Sequence, residues 1–180
     1  MSLLARIGRL FPENATVDSV QTILRFEEPP ATVWDTMMFY EEIPRRPSAL
    51  LRLFLPLPVR TRGDKTRPGS LIECTYDGGW LEKRITGVEV SRAIRFEVCK
   101  QELGIEGCIE MTGGSYELRG DDGGTELVLT TRYRGRLRPR WFWRPFERFI
   151  ARGVHNHILE GMRVAFADAR STIGARALAK

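Results

Sequence analysis

The stretch from residue 69 to residue 133 alternates strand-like runs with short turns, and this pattern restricts the possible folds more than any other feature. The turns, such as Asp77-Gly78-Gly79, are short enough for hairpins. Consecutive hairpins predict an antiparallel meander, and Gly113-Gly114 inside one run indicates a bulge that bends the sheet. The five runs, rich in β-branched, aromatic and apolar residues, are 70–76, 79–90, 93–101, 105–118 and 125–133.

The chain ahead of the meander predicts one strand and two short helices. Residues 17–26 alternate and are rich in β-branched residues, which is typical of a strand. Pro29-Pro30 ends this strand and opens a helix over 31–40, since proline is tolerated in a first helical turn. A second helical piece is expected over 48–55. Pro56, Pro58 and the polar stretch 60–69 then predict an exposed connection.

A long helix over 144–172 is predicted after the meander. This helix is apolar on two sides and therefore needs two partners: the sheet on one side, and the first helices, a second copy of the chain or a membrane on the other. The face predicted to point inward holds Phe146, Phe149, Ile150, Gly153, His157, Gly161 and Val164. The second apolar set is Ile158, Leu159, Met162 and Phe166.

This order of elements resembles the helix-grip fold of the START-like (SRPBCC) superfamily over residues 17–170. Three pieces of the chain are similar to its polyketide cyclase/dehydrase branch. They are Val33-Trp34 in the first helix, residues 114–118 followed by 124–131, and residues 139–147 ahead of 157–162. The resemblance implies an α+β fold in which a curved antiparallel sheet wraps around a long C-terminal helix. It also implies a hydrophobic small-molecule ligand between sheet and helix. The superfamily includes cyclases, lipid carriers and quinone carriers, so the activity stays open.

The length of 180 residues fits one domain. We expect an N-terminal extension over 1–16, a ligand-binding domain over 17–172 and a tail over 173–180. No run reaches the roughly 18 apolar residues that span a bilayer. Cys74, Cys99 and Cys108 have no disulfide or zinc spacing and are predicted to be reduced, buried thiols. These features predict a cytoplasmic protein, with peripheral membrane association as an alternative.

His157 is the candidate ligand contact on the predicted inward helix face. A histidine there could hydrogen-bond a ligand oxygen or transfer a proton near neutral pH, or it could be satisfied by neighbouring protein groups. His155 lies about 200° around the helix, so the two cannot chelate one metal. We therefore expect no metal and no cofactor. Gly153 on the same face would allow a strand or a ligand to approach closely.

Polar anchors in the cavity depend on which side of the strand over 79–87 faces inward. If Glu82 and Arg84 face inward, they would anchor a ligand; if Leu81, Lys83 and Ile85 do, Glu82 and Arg84 form a surface ladder. Aromatic side chains suit the cavity wall because they combine apolar area with, in tyrosine, one hydroxyl. The candidates are Trp34, Tyr76, Phe96, Tyr116 and Tyr133.

The segment 132–148 interleaves arginine with tryptophan and phenylalanine. Basic and aromatic residues together are typical of docking to an anionic membrane surface, whereas nucleic acid is a weaker alternative. Alternatively, Arg132 and Arg134 pair with Glu117 or Glu126 across strands while the aromatics close one end of the cavity. The candidates for membrane docking are Arg136, Arg138, Arg140, Trp141 and Trp143.

The favoured function is binding, either alone or with transport, of a hydrophobic or polyaromatic small molecule such as a lipid, quinone or polyketide. The alternative is a cyclase- or dehydratase-like enzyme in which His157 and Glu82 or Arg84 transfer protons. The sequence has no tight acid–base pair, which favours the binding protein. A membrane surface and a second copy of the chain are the other candidate partners.

Overall fold

The computed structural model describes residues 16–39, 58–76, 78–121 and 123–178. The predicted extension over 1–16, apart from its last residue, and the second short helix over 48–55 lie outside these residues. The described elements are β1 (Val17–Phe26), α1 (Pro30–Phe39), β2 (Pro58–Arg62), β3 (Leu71–Tyr76), β4 (Gly79–Glu89), β5 (Ala93–Glu102), β6 (Ile109–Asp121), β7 (Gly124–Gly135) and α2 (Arg140–Leu178). Helix α2 continues past the predicted boundary at residue 172.

The seven strands form one antiparallel sheet in the order β1-β7-β6-β5-β4-β3-β2. The predicted meander is confirmed. Strand β1 pairs with β7, the last strand of the chain. Helix α2 packs on β1 and β7, and α1 packs on α2. The main core lies between the sheet and these helices, where Trp34 of α1 joins Leu159 and Met162 of α2. This arrangement is the predicted helix-grip α+β fold.

The edge strand β2 was not predicted, because residues 58–62 read as part of an exposed connection. The structure pairs this segment with β3, so that Pro58 lies opposite Tyr76 and Arg62 opposite Glu73. Proline at the first residue of an edge strand removes no interior ladder bond, and the segment can therefore join the sheet.

Bulges bend the sheet around the helix. The register between β6 and β7 shifts between Met111 and Gly113, which confirms the predicted bulge. Gly113 has a φ of 151°, and a Cβ atom there would lie 2.5 Å from the carbonyl oxygen of Phe96. Glycine is therefore required by both conformation and space. Two further shifts interrupt the pairing of β4 with β5. Bulges increase local twist and curvature, which opens space under the helix.

The predicted inward face of α2 is correct at Ile150 and Gly161, which are buried, but wrong at its aromatic residues. Phe146 and Phe149 lie on the exposed side, and Gly153 and His157 are only half-buried. The prediction placed the aromatic side chains inside, whereas the structure buries a carboxylate on that face. The buried positions from the first turns onward are Glu147, Ile150, His155, Leu159, Gly161, Met162 and Phe166.

The prediction that all three cysteines are buried is wrong for Cys99. Cys74 is buried and Cys108 half-buried, but Cys99 is exposed, because it lies on the outward-facing side of β5. All three thiols are free.

Arg140 ties the beginning of α2 to β1. Its guanidinium donates to both carboxylate oxygens of Glu147 at 2.6 and 2.8 Å and to Oδ2 of Asp18 at 2.7 Å. Arg144 Nε lies 2.7 Å from the other oxygen of Asp18. Glu147 is only 2% exposed. The bond to Glu147, and then the bond to Asp18, raises the pKa of Arg140. Arg140 is therefore an internal ion-pair residue, which corrects its assignment to membrane docking.

Replacing Arg140 with methionine should destabilise the fold by about 3 kcal/mol, because it leaves the buried Glu147 carboxylate without its cation and Asp18 with Arg144 alone. Urea denaturation of Arg140→Met measures this loss. Arg136→Met is the matched control, since Arg136 pairs with Glu110 at 2.6 Å on the surface. The control should lose less than about 1 kcal/mol. Equal losses in the two variants would contradict a structural role for Arg140.

Candidate functional site

Two adjacent cavities lie between the sheet and α2. The first, called here the tyrosine cavity, has a volume of about 80 Å³ and contains Tyr76, Tyr133 and His155 in its lining. The second, the lysine cavity, has a volume of about 100 Å³ and contains Lys83 and Tyr116. Most other lining residues of both are aliphatic side chains or methionines. Mostly apolar cavities with a few polar groups are the usual form of a small-molecule site.

Strands β3 and β4 supply one wall to both cavities. Cys74 lies opposite Leu81 in the ladder, and Ile72 lies opposite Lys83. Leu81 and Ile85 are buried, which fixes the odd-numbered residues of this part of β4 on the inward side. The inward side chains therefore follow one another along the strand pair from one cavity to the next.

Glu82 and Arg84 consequently lie on the outward side of β4. Arg84 is exposed, and Glu82 lies 3.9 Å from Lys100 across the ladder to β5. The structure therefore has the surface ladder, which was one of the two arrangements that the sequence allowed. Neither Glu82 nor Arg84 lines a cavity.

Lys83 lines the lysine cavity, a position that the sequence interpretation did not assign to the candidate site. Its Nζ lies 4.5 Å from the centroid of the Phe96 ring, a cation–π contact. Burial acts to lower the pKa of Lys83, but the Cys74 thiol and the Tyr76 and Tyr116 hydroxyls outweigh this effect and raise it. The side chain is therefore an ammonium at neutral pH. The pattern of apolar neighbours at positions 81 and 85 was the available signal.

The tyrosines near Lys83 remain protonated. Burial raises the pKa of Tyr76 to about 12, and it also raises the pKa of Tyr116. Tyr116 and Phe96 line the lysine cavity, and Tyr76 and Tyr133 line the tyrosine cavity. Four of the five predicted aromatic residues therefore face the cavities. Trp34 is buried in the core outside both linings.

Tyr133 presents a buried hydroxyl to the tyrosine cavity. The side chain is buried, and its Oη has no hydrogen-bond partner among the described residues. Burial, followed by the nearby Glu147 carboxylate, raises the pKa of Tyr133 to about 12. The hydroxyl is therefore protonated and can donate to an oxygen or nitrogen atom in the cavity.

His155, rather than the predicted His157, lies at the cavity. Its Nδ1 is 2.9 Å from the Thr22 hydroxyl and its Nε2 is 2.8 Å from the Thr131 hydroxyl. Burial lowers the pKa of His155 to about 4, so the ring is neutral at pH 7. His157 is half-buried and lines neither cavity, and neither does Gly153. The sequence feature that indicates His155 is its spacing from Glu147. The two are eight residues apart and therefore lie on one helix face.

The basic and aromatic segment divides into internal and exposed residues. Arg136 bonds Glu110 at 2.6 Å, and the Trp143 ring nitrogen donates to the carbonyl of Arg138 at 3.1 Å. Arg134 also pairs with Glu110, not with the predicted Glu117 or Glu126, because Glu110 is its ladder partner. Trp141 is 78% exposed. Phe142 and Phe149, which were not among the docking candidates, are 57% and 62% exposed.

Neither a known protein family nor a curated protein matches the chain by sequence. Among solved structures, a Thermus thermophilus protein superposes with a TM-score of 0.57 at 13% identity, covering 84% of this chain and 99% of its own. The Zhui aromatase/cyclase from a Streptomyces species gives 0.54 at 15% identity, with 82% and 95% covered. Norcoclaurine synthase from Thalictrum flavum, in complex with dopamine and hydroxybenzaldehyde, gives 0.56 at 10% identity, with 93% of each chain covered.

The chain has the helix-grip fold. The predicted resemblance to the START-like superfamily is thus confirmed at the level of fold. Identities this low leave the ligand and any reaction of this chain open.

Within the described ranges, no helix is both long and apolar enough to cross a bilayer. The same residues contain no group of three or more His, Cys, Asp or Glu side chains arranged to hold a metal ion.

His155 predicts a specific loss of stability in acid. Its pKa is about 4 in the folded state and 6.5 in the ordinary state, so below pH 6.5 the unfolded chain binds the extra proton. The contribution is complete above pH 6.5 and falls away between pH 6.5 and pH 4, on the order of 3 kcal/mol in total. Chemical denaturation of the wild type and His155→Gln across this range measures it. A free energy of unfolding that falls equally with pH in both proteins would contradict the assignment.

Proposed function

We propose that the chain binds a slender or flat apolar small molecule that carries an oxygen atom, in the cavities between the sheet and α2. The observation that carries this proposal is the Tyr133 hydroxyl, which is buried, lines the tyrosine cavity and has no partner among the described residues. An unpaired buried hydroxyl costs about 1–3 kcal/mol. A ligand oxygen in the cavity would satisfy it.

The size of the cavities favours a ligand of one or two rings. Their volumes are about 80 Å³ and about 100 Å³. Each is smaller than the apolar cavity of roughly 150 Å³ that accommodates benzene, so a ligand with a ring has to extend over both. A ligand that spans both cavities along β3 and β4 fits this space better than a large fused polyketide, and flexible Met111 and Met162 in the two linings could adapt to it.

The cavity chemistry favours a binding protein over the alternative cyclase- or dehydratase-like enzyme. Both ring nitrogens of His155 are engaged by threonine hydroxyls, and its pKa of about 4 makes it a poor base at neutral pH. The Glu147 carboxylate is held by Arg140 on both oxygens. The two groups best suited to transfer protons are thus committed to holding the fold.

Three variants test ligand binding, with 2-naphthol and naphthalene as probes and titration calorimetry as the measurement. Ala151→Phe fills the tyrosine cavity and should weaken binding of both probes about tenfold or more, while Asn156→Phe on the exposed side of α2 should not. Tyr133→Phe should weaken 2-naphthol about fivefold and leave naphthalene unchanged.

Tyr133→Phe should also be at least as stable as the wild type, because it deletes a hydroxyl without a partner. If neither probe binds the wild type, or if Ala151→Phe binds both as well as Asn156→Phe does, the cavity proposal fails.

We further propose that the outer face of α2 docks on an anionic membrane surface. Trp141, Phe142 and Phe149 are exposed on one side of the first turns of the helix. Arg152 is exposed beside them, and so is Arg144, whose Nε also pairs with Asp18. Between residues 140 and 152 the one carboxylate is Glu147, which is buried against Arg140. A surface that is both aromatic and basic matches anionic lipid headgroups over an acyl boundary.

Vesicle co-sedimentation tests this docking surface. The wild type should bind phosphatidylcholine vesicles that contain phosphatidylserine, and binding should weaken with salt. Trp141→Ser with Phe149→Ser should reduce binding about tenfold, because it removes two apolar side chains from the interface. Leu71→Ser with Val90→Ser, two exposed apolar residues elsewhere, is the control. Salt-insensitive binding, no binding, or a homodimer that the Trp141/Phe149 double variant abolishes would overturn the proposal.

A further inference from the structure

We infer that the lysine cavity binds the acidic group of the ligand, a carboxylate or an acidic phenol, against the Lys83 ammonium. The inference rests on the proposed function, since it names the chemical class of the molecule that occupies the cavities. Tyr133 would hydrogen-bond one end of that molecule, and Lys83 would neutralise the other.

Lys83 enters the lysine cavity with apolar and aromatic neighbours. Ile72, Ile85 and Ile94 line the cavity, and the Phe96 ring lies 4.5 Å from the ammonium. A charge in such surroundings is costly unless another charge or strong hydrogen bonds compensate it. The cost makes this position an unlikely choice for a lysine whose role is packing.

The described residues that line the lysine cavity include a second lysine, Lys65, and no Asp or Glu. Glu82 and its neighbour Arg84 lie on the opposite side of the sheet, because side chains alternate along β4. The groups that do face Lys83 are the Cys74 thiol and the Tyr76 and Tyr116 hydroxyls. These groups, together with a hydrogen bond between Lys83 and the Cys74 sulfur, outweigh the effect of burial and raise the pKa of Lys83. None of them is a carboxylate, so among the described residues of the lining no carboxylate is paired with the ammonium.

The two cavities thus differ in electrostatics. In the tyrosine cavity, Glu147 is already neutralised by Arg140, and His155 is uncharged. In the lysine cavity, an anion would gain a charge-assisted hydrogen bond, whereas a cation would be repelled. Ligand selection by charge is therefore expected at the lysine end only.

The protonated state of Lys83 also indicates the kind of contact. An ammonium has no lone pair to attack a carbonyl carbon, so Lys83 would hold an anion electrostatically without forming an imine. The expected contact is a reversible ion pair.

Two isosteric probes test this assignment by titration calorimetry at pH 7: 2-naphthoate, which is anionic, and 2-naphthamide, which is neutral. The wild type should bind the naphthoate about tenfold more tightly than the amide. Lys83→Met, which keeps the length of the side chain, should abolish that preference while changing the affinity for the amide less than about threefold. Lys100→Met is the control, because Lys100 is exposed on β5 and should leave the preference intact.

The outcomes separate the inference from the proposal beneath it. If neither probe binds the wild type, the proposed function fails, and the inference fails with it. If both bind but with equal affinity, or if Lys83→Met keeps the preference, the inference alone is overturned. A borohydride-trapped adduct of 2-naphthaldehyde that disappears in Lys83→Met would also overturn it, because that adduct requires a neutral amine.

Discussion

The ion pairs of Arg140 determine how the long helix meets the sheet. Arg140 at the beginning of α2 holds Asp18 of β1 and Glu147 two turns further along the helix. Because Glu147 must face inward to reach this cation, residues at intervals of about four, Ala151 and His155, also face inward. The same rotation leaves the large aromatic side chains of the first turns on the outside. A polar contact, rather than the distribution of apolar residues, thus sets both the cavity lining and the exposed face.

This explains why the sequence predicted the sheet better than the helix. The boundaries of β1, β4 and β5 and the bulge at Gly113 follow from local alternation and turn residues, and they agree with the structure to within a residue or two. The rotation of α2 is different. Apolar residues occupy two sides of the helix, so periodicity alone left its inward face ambiguous, and the partners of Arg140 lie 7 and 122 residues away in sequence.

The same limit applies to the candidate site. The aromatic residues at positions 76, 96, 116 and 133 were predicted because aromatic side chains combine apolar area with, in tyrosine, one hydroxyl. Lys83 was not, since a lysine between apolar neighbours in a strand normally extends to solvent. Only the pairing of β4 with its neighbours shows that Leu81 and Ile85 face inward. Lys83 lies between them on the same side of the strand and therefore also faces inward. The edge strand β2 was missed for a related reason: its pairing with β3 is not visible in its own five residues.

Packing alone does not account for two polar groups in the cavities. Phenylalanine in place of Tyr133 and methionine in place of Lys83 would fill the same volume without an unpaired hydroxyl or an ammonium in the cavity. Sequences that specify a fold usually avoid such local conflicts, and exceptions concentrate where function requires them. In contrast, the buried charges of Asp18, Arg140 and Glu147 are fully paired and are explained by the fold. The Tyr133 hydroxyl has no partner among the described residues, and the Lys83 ammonium faces no carboxylate in its cavity lining. These are therefore the groups that a ligand would explain, and they lie in adjacent cavities.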